Sequence, residues 1–441
     1  MKTQISFDFE ERNGKIKPLH GVNNSPIVLN GKIPSFKDAG IPYMRTHDSA
    51  GQYGGTHYID IPNIFPDFDA DENLPESYDF AFTDAYLSSV VNSGTKIFYR
   101  LGVTIENNWK IKAYNINPPA DFGKWARICE HIVRHYNEGW ADGFHYGIEY
   151  WEIWNEPENP PMWTGTREQF YSLYSITANH LKKCFPSIKV GGYAGCGFYY
   201  VTGTITTDFY KSFISFFDEF LDYIKSPENA APLDFYSWHI YTLDASLIAK
   251  HAEYVRNKLD EMGFTETEQF LNEWNRMEGG APEIFEEMRE NKGASFCAHV
   301  MNIMQKSSID KAMYYDAYPM RRYCGLYTFP AYRLTKTYYS FHAFNRLYRL
   351  CGFVGAEIFD EINLSATAAS NGKEHAVLIA NYGDKEQKIS LSMKGLEENC
   401  AFEKYLIDEK HSFEKSDKVI TKENCDIVIS PYSVILLEHI D

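Results

Sequence analysis

The chain has 441 residues, enough for a barrel domain of about 250 residues or more and a smaller module. Its formal net charge of -17 argues against nucleic-acid binding, because such proteins need a basic face to displace phosphate counterions. Aromatic residues make up 16% of the chain; most must be core, although flat rings also suit the apolar faces of sugars. The composition favours a neutral substrate.

Residues 4–9 alternate between polar and apolar side chains, which predicts a β-strand ahead of the main fold. The start of the chain has no apolar run of signal-peptide length, and no segment approaches the roughly 18 apolar residues of a membrane span. The eight cysteines show no Cys-x-x-Cys pair and no clustered metal spacing. We therefore expect a cytoplasmic protein with reduced thiols, no membrane partner and no bound metal.

From residue 17 to 350, short apolar runs alternate with longer segments of helical period, the pattern of repeated βα units. Eight strands are predicted, over residues 18–22, 43–46, 96–101, 149–154, 188–192, 234–239, 269–273 and 311–316. Helices are predicted over 121–136, 167–184, 283–306 and 331–350. Eight such units close into an α/β fold, the (β/α)8 TIM barrel, whose active site lies at the C-terminal ends of the strands.

The segment 51–79, after the second predicted strand, is acidic and rich in aromatic residues and proline. Its three alternating aspartates suggest a calcium loop, but Glu72 stands where that loop needs glycine and Tyr78 where it needs glutamate. We predict instead a loop that walls one side of the pocket, with Phe65 or Tyr53 contacting the substrate.

The fourth predicted strand ends in Trp154, Asn155, Glu156 and Pro157. Neighbouring residues of a strand face opposite ways, so Asn155 and Glu156 reach one pocket only if the strand breaks there, and the proline makes that break. An aromatic pocket disfavours the charged form of a carboxyl group, so we expect a raised pKa for Glu156. That property suits a general acid, and an Asn-Glu pair at such a strand end is typical of glycosidases.

A glycosidase needs a second carboxylate on the other side of the scissile bond. The seventh predicted strand supplies Glu273 beside Trp274, and this glutamate is the predicted nucleophile. The alternative is that Glu156 and Glu273 only cap helices or pair with arginines. Two such similar strand ends on the catalytic rim of one barrel favour the catalytic interpretation.

After residue 351 the pattern changes to short strands separated by polar turns, predicted over 375–380, 387–392, 401–407 and 426–438. We interpret this region as a small antiparallel β-sandwich that the N-terminal strand completes. The predicted domains are therefore the N-terminal strand (1–16), the barrel (17–350) and the β-sandwich (351–441).

Four strand-end motifs together resemble glycoside hydrolase family 39, the family of bacterial β-xylosidases and α-L-iduronidase: Trp154-Asn155-Glu156-Pro157, Asn272-Glu273-Trp274, Arg45-Thr46-His47 and Ser237-Trp238-His239-Ile240-Tyr241. The order of barrel and β-sandwich is also similar to that of the family, and the resemblance covers essentially the whole chain. The Asn-Glu-Pro motif is shared by a larger clan of retaining barrel glycosidases. The Arg-x-His and His-x-Tyr motifs therefore carry the family assignment.

The resemblance implies that Glu156 is the general acid/base, Glu273 the nucleophile and Asn155 the partner of the sugar 2-hydroxyl. It also implies substrate-site roles for Arg45 and Tyr241 around the nucleophile, His47 on a sugar hydroxyl, and His239 near the acid/base. Asp316 and Trp274 are further candidates at strand ends. Arg45 and Tyr241 would keep Glu273 ionised while Glu156 stays protonated. For each histidine a role in the core is the alternative.

Iduronate needs cations at its carboxylate, yet residues 241–245 contain no basic side chain, so a neutral sugar is expected. Arg321 and Arg322, after the eighth strand, are the nearby cations that would change this conclusion. The aromatic residues in 197–200 are expected to narrow the pocket to a terminal sugar. No Gly-rich phosphate loop stands out, so no cofactor is expected.

The sequence thus predicts a retaining exo-β-glycosidase, specifically a β-xylosidase that trims oligosaccharides. The alternatives are a relative that acts on an arabinopyranoside or galactoside, and a non-catalytic carbohydrate-binding barrel. The latter usually lacks one of the two carboxylates, and this chain has both. The sequence leaves open whether the chain forms a homo-oligomer.

Overall fold

The computed structural model describes residues 2–47, 59–104, 115–358, 363–397, 399–421 and 425–440. Eight parallel strands close a barrel in chain order: β2 (Gly21–Asn23), β3 (Tyr43–Arg45), β4 (Lys96–Leu101), β5 (Tyr150–Ile153), β6 (Lys189–Gly195), β7 (Phe235–Tyr241), β8 (Glu268–Asn275) and β9 (Lys311–Tyr314). All eight predicted strands are present, and the expected barrel is confirmed.

Helices surround the barrel: α1 (Pro34–Ala39), α2 (Ile61–Ile64), α3 (Ala81–Asn92), α4 (Phe122–Asn137), α5 (Arg167–Cys184), α6 (Asp208–Lys225), α7 (Ser246–Glu261), α8 (Pro282–Glu287), α9 (Asn291–Lys306) and α10 (Lys336–Leu350). The single helix predicted over 283–306 is two helices. The carbonyl of Met288 between them accepts a hydrogen bond from Thr337 Oγ1 at 2.6 Å, which satisfies it outside a helix. The last helix begins at Lys336 because Thr335 caps it through Tyr338 N.

Large side chains fill the barrel at the start of its strands and form a separate cluster of Tyr43, Phe98, Tyr150, Phe235, Phe270 and Met313. Two residues further along, the same inward face carries Arg45, Glu152, Ser237 and Asn272, because side chains of a strand alternate between faces. An aromatic layer therefore closes the bottom of the barrel, and the polar residues lie above it, toward the C-terminal ends.

Two further sheets follow the barrel. One has the order β11 (Ala356–Ile358), β1 (Thr3–Asp8), β14 (Gln387–Lys394) and β17 (Cys425–Ile429). The other has the order β10 (Gly352–Val354), β12 (Leu364–Ser370), β13 (His375–Asn381), β18 (Ser433–Ile440), β15 (Ala401–Ile407) and β16 (Ser412–Ile420). A shared core of apolar side chains from both sheets makes them a β-sandwich, as expected. The N-terminal strand joins it, parallel to β14 and antiparallel to β11.

The barrel and the β-sandwich are in direct contact. His299 on α9 forms a 2.8 Å hydrogen bond with Ser365 on β12, and Tyr382 donates to the carbonyl of Leu243 at 3.0 Å. The expected domain boundaries at 16/17 and 350/351 fall between β1 and β2 and after α10; as domain limits they stay a prediction. Among the described helices, none combines the length and apolarity that a membrane crossing needs.

The loop predicted over 51–79 is only partly within the described residues. Phe65 is fully buried in the main core and packs on Tyr78 at 4.8 Å between ring centroids. It is therefore a core residue, and the predicted substrate contact is wrong. Tyr53 lies outside the described residues.

Candidate active site

The end of β5 turns sharply, and this turn brings Asn155 and Glu156 to the same side. Trp154 and Glu156 have left-handed φ angles of 74° and 47°. The backbone N–H of Glu156 donates to the carbonyls of Tyr193 and Ala194 at 3.2 and 3.1 Å, and the indole of Trp154 donates to the carbonyl of Met162 at 3.0 Å. These bonds hold the strained turn. Both Asn155 and Glu156 line one pocket, as the sequence predicted.

A bulge in β8 turns the second carboxylate, Glu273, toward the pocket. Trp238 pairs with Leu271, but the next residue, His239, pairs with Glu273, so Asn272 is an extra residue in β8. Asn272 and Glu273 can therefore both point into the barrel, although they are neighbours in the sequence.

Glu156, His239 and Glu273 form the centre of the pocket. His239 Nδ1 lies 2.7 Å from Glu156 Oε1, and Nε2 lies 3.6 Å from Glu273 Oε2. One oxygen of each glutamate and a ring nitrogen of His239 lie within 4.8 Å of one another. Asn159 donates to Glu156 Oε2 at 3.1 Å, and Tyr241 donates its hydroxyl to Glu273 Oε1. Each carboxylate therefore has its own fixed donor, and His239 lies between them.

Below this centre, the fully buried Arg45 distributes its donors over four groups. Nε donates to Glu152 at 2.7 Å, Nη2 to Asn155 Oδ1 at 2.7 Å, and Nη1 to Asn23 at 3.0 Å and to Glu273 at 3.3 Å. Because a guanidinium only donates, it fixes the oxygen of Asn155 toward itself. The amino group of Asn155 then remains as a donor toward the pocket.

Sequence reasoning missed Glu152. It is fully buried, and besides Arg45 it accepts hydrogen bonds from Ser237 Oγ at 2.6 Å and from Asn272 Nδ2. Glu152 balances the positive charge of Arg45. Without Glu152, Arg45 would neutralise the charge of Glu273 more fully. A carboxylate inside the apolar run Tyr150 to Ile153 was the available signal, since such a residue is rarely buried without a cation.

The charge pattern around Glu156 differs from the expectation of a raised pKa. Burial raises the pKa of Glu156, but the hydrogen bond and charge of His239 outweigh it, helped by Asn159, and the pKa falls below its ordinary value.

Glu273 also departs from the expectation. Burial, and to a smaller extent the charge of Glu156, raise the pKa of Glu273. His239, Arg45 and Tyr241 lower it, but the pKa remains above its ordinary value. Arg45 and Tyr241 act in the predicted direction, but they do not overcome burial. His239 thus lowers the pKa of both carboxyl groups, and burial opposes it at both.

The pocket has a volume of about 360 Å³. Its polar lining consists of His47, Asn155, Glu156, Asn159, His239 and Glu273. No lysine or arginine occurs among the described lining residues, and Arg321 and Arg322 are exposed elsewhere. Of the aromatic residues in 197–200, only Tyr199 lines the pocket; Phe198 is buried against Trp238. The predicted Tyr241 also lines the pocket. The remaining lining residues were not predicted from the sequence: Met162, Cys196, Phe209, Tyr210, Phe213, Met277, Tyr315 and Tyr323.

Three predicted substrate-site residues, Arg45, Trp274 and Asp316, do not line the pocket. Arg45 is fully buried and contacts Asn155 and Glu273 from below. Trp274 is fully buried and packs on Tyr314 at 5.2 Å, on the outward face of β8, so it is a core residue and the prediction is corrected. The bulge explains the outcome, since Glu273 faces inward and its neighbour outward. Asp316 is also fully buried and accepts from Asn24 Nδ2 at 3.2 Å. Asn24 in turn accepts from the backbone of His47 at 3.2 Å, so Asp316 positions His47 rather than lining the pocket.

Among the described residues, two groups of side chains have ligand atoms close enough for a metal ion. One is the central group of Glu156, His239 and Glu273, and the other is the half-buried group of Glu130, His180 and Cys184. Glu130 is paired with Arg134 at 2.8 Å and with His180 at 2.6 Å, which accounts for that group as an ion-pair network. In the central group a cation would have to displace the hydrogen bond between Glu156 and His239.

The barrel, with two carboxylates in a polar pocket at the C-terminal ends of its strands, defines a glycosidase-type site. A family model described as Glycosyl hydrolases family 39 matches residues 35–301, more than half of the chain. The chain belongs to glycosyl hydrolase family 39.

Curated relatives cover only part of the chain. A beta-xylosidase of Geobacillus stearothermophilus is 26% identical over 198 residues, 42% of this chain and 35% of the relative. A beta-xylosidase of Caldicellulosiruptor saccharolyticus is 26% identical over 36% of this chain and 27% of the relative. An alpha-1,4-L-rhamnosidase of Formosa agariphila is 23% identical over 26% of each chain. The alignments thus span about a third or less of these relatives.

Solved structures match over the whole chain. A glucosidase from Croceicoccus marinus aligns with a TM-score of 0.78 at 22% identity, covering 100% of this chain and 99% of the other. A monomeric beta-xylosidase from Caulobacter crescentus CB15 aligns with a TM-score of 0.70 at 14% identity, covering 99% of both chains. These likenesses support the fold, including the β-sandwich.

Proposed function

We propose that this protein is a retaining exo-β-xylosidase, with Glu156 as general acid/base and Glu273 as nucleophile. The observation that carries the proposal is the approach of the two carboxylates to within 4.8 Å around His239. Retaining glycosidases hold their carboxyl groups about 5 to 5.5 Å apart, whereas inverting ones leave about 6.5 to 9.5 Å for a water molecule. The close approach favours retention.

The two glutamates have different surroundings, which supports their different roles. Glu273 is held by Arg45 and Tyr241, two donors that stabilise an anion and fix its position for attack on the anomeric carbon. Glu156 instead contacts His239, a group that can hold and return a proton. In the first step Glu156 protonates the leaving oxygen as Glu273 bonds to the sugar. In the second, Glu156 takes a proton from water, and that water displaces Glu273.

Asn155 supports the same arrangement. Arg45 fixes the oxygen of its amide, so the amino group is available to donate to a sugar hydroxyl next to the reacting carbon. A contact with the 2-hydroxyl that strengthens as the oxocarbenium-like transition state forms lowers the barrier by several kcal/mol in such enzymes.

The lining supports a neutral terminal sugar. The described lining residues include no lysine or arginine that would bind a uronate carboxylate. His47, Tyr315 and Tyr323 line the pocket together with Glu273, and this ring of side chains suits contact with one terminal sugar. Two partial curated relatives are named beta-xylosidase, and they support xylose as the first candidate.

A panel of nitrophenyl glycosides tests the proposal. We expect nitrophenol to be released faster from the β-xyloside than from the arabinopyranoside, galactoside and glucoside. NMR of the released sugar should show retained anomeric configuration. Preference for another sugar would replace xylose, and an inverted product would reject the retaining mechanism.

Two variants test the roles within that reaction. Glu156→Ala should keep partial activity on nitrophenyl glycosides, which need little protonation, and azide should restore its rate. Glu273→Ala should lose nearly all activity, because no covalent intermediate forms. Equal losses in the two variants would mean that the roles are assigned wrongly.

A further inference from the structure

The pocket has two halves of different chemistry. Around Glu273, the rings of His47, Tyr241, Tyr315 and Tyr323 lie in sequence, with centroid distances of 5.9 Å from His47 to Tyr315, 5.3 Å from Tyr315 to Tyr323 and 6.2 Å from Tyr323 to Tyr241. Each of these rings carries a polar atom that can bind a hydroxyl. This half suits a sugar.

The half around Glu156 includes Asn159, Cys196 and Tyr199. Four further lining residues extend it: Met162, in the turn that follows Glu156, and Phe209, Tyr210 and Phe213 on α6. The three rings contact one another, with centroid distances of 4.8 to 5.5 Å and interplanar angles of 66 to 83°. Burial, Cys196 and the charge of Glu156 together raise the pKa of Tyr210, so its hydroxyl is within electrostatic range of that carboxylate. We call these four residues the apolar subsite.

Most of the apolar subsite cannot form hydrogen bonds. Met162 and Phe213 are buried at 1% and 3% exposure, whereas Phe209 is 46% exposed. A leaving sugar placed here would lose water from its hydroxyl groups, and phenylalanine and methionine would return no hydrogen bonds. An apolar leaving group would gain binding free energy by burial against the same surface, and it has no hydrogen bonds to water to lose.

We propose that the apolar subsite binds an apolar leaving group, so that the preferred substrates are alkyl or aryl glycosides. The inference rests on the proposed function, because the general acid must face the leaving group and Glu156 is therefore taken to mark its side. In the reaction the bond between the anomeric carbon and the aglycone oxygen breaks, Glu156 supplies the proton of the released alcohol, and water supplies the hydroxyl of the sugar.

The test compares the methyl and n-hexyl glycosides of whichever sugar the nitrophenyl panel identifies. Their leaving oxygens are similar in basicity, so the chemical step is matched. We expect kcat/KM for the hexyl glycoside to exceed that for the methyl glycoside about 10-fold. Phe209→Ala should reduce this ratio about 5-fold or more, and Phe209→Leu should reduce it less, since burial of apolar area of this size changes affinity by roughly that factor.

Phe329→Ala is the matched control, because Phe329 is 53% exposed and is outside the lining of the pocket. It should leave both rates and their ratio unchanged. The proposal is overturned by a ratio that Phe209→Ala does not change, or by a disaccharide of the same sugar that is hydrolysed with a higher kcat/KM than the hexyl glycoside. No activity on any nitrophenyl glycoside would instead reject the proposed function.

Discussion

His239 contacts both carboxyl groups of the pocket, but at different distances. It is 2.7 Å from Glu156 and 3.6 Å from Glu273, so it stabilises the charge of Glu156 more strongly. Burial raises the pKa of both glutamates; His239 outweighs burial at Glu156, whose pKa is lowered, but not at Glu273, whose pKa is raised. This pattern is opposite to the one that the proposed mechanism alone predicts.

We expect His239→Gln to move both limbs of the pH profile of kcat/KM to higher pH. In its proposed role Glu156 must be protonated, so activity is lost as pH rises through its pKa, and removal of His239 raises that pKa. In its proposed role Glu273 must be ionised, so activity is lost as pH falls through its pKa, which the same change also raises. A profile that moves in one limb only would contradict a role of His239 toward both carboxylates.

Tyr241→Phe should move the acidic limb alone. The hydroxyl of Tyr241 lowers the pKa of Glu273, so its removal raises that pKa and activity is lost at a higher pH. The rate of the chemical step should fall about 10- to 1000-fold, as for loss of one preorganised donor. Tyr146→Phe, which removes a hydroxyl bonded to Ser88 outside the pocket, is the control. An unchanged profile for Tyr241→Phe would assign Tyr241 to the core.

At the scale of elements, β6 depends on glycine because a neighbouring strand lies too close for a side chain. A Cβ atom on Gly191 would lie 2.1 Å from the carbonyl oxygen of Phe235, its partner in β7. The strand β7 carries His239 and Tyr241, so the close pairing also determines where these side chains lie.

Gly191→Ala should therefore lower the free energy of unfolding by about 3 kcal/mol, because backbone must move to admit the methyl group. Gly280→Ala is the control: no atom lies within 4 Å of its Cβ position and its residue is exposed. Denaturant titration followed by tryptophan fluorescence measures both. Equal stabilities would mean that β6 and β7 can separate at little cost.

Elements that contain apolar runs were predictable, and those that depend on distant partners were not. The strand β12 consists of Leu364 followed by small residues, and β16 is largely charged and exposed, so neither has the apolar alternation of a strand. The predicted strand over 426–438 is two strands in different sheets, because the chain turns at Pro431 and Tyr432.

Within the site, the sequence identified the residues at strand ends but not the support beneath them. Glu152 and Arg45 are 107 positions apart, and only closure of the barrel brings them together. The bulge at Asn272 likewise changes the alternation of faces in β8, so Trp274 was assigned to the pocket although it packs outside. Such register shifts follow from pairing with the neighbouring strand and have no simple sequence pattern.

At the scale of the whole molecule, three buried histidines link acidity to stability. Burial lowers the pKa of His20 to about 3, of His251 to about 3 and of His299 to about 4. His20 lies beside α10, His251 lies on α7, and His299 packs against the β-sandwich, so the three are in separate parts of the fold.

Because these histidines bind protons only after unfolding, stability should fall as pH decreases from about 6.5, the ordinary histidine pKa, toward 4. His299 alone should contribute a loss of about 2 kcal/mol at pH 5. His299→Asn should therefore show a smaller fall in melting temperature between pH 7 and pH 5 than the parent protein. His145→Gln, at an exposed position, should not. Parallel curves for His299→Asn and the parent would contradict burial of a neutral imidazole.

The pairing of β1 with β14 has a consequence for synthesis of the protein. Thr3 pairs with Ile389, so β1 is synthesised long before its partner β14. At about 5 to 20 residues per second this delay is roughly 20 to 80 seconds, and for most of it β11 is also missing, so both edges of β1 are open. The barrel can form during this time, because strands that are neighbours in the barrel follow one another along the chain. Protection of the unpaired β1 in the nascent chain, rather than closure of the barrel, is therefore the demand that this topology places on chaperones.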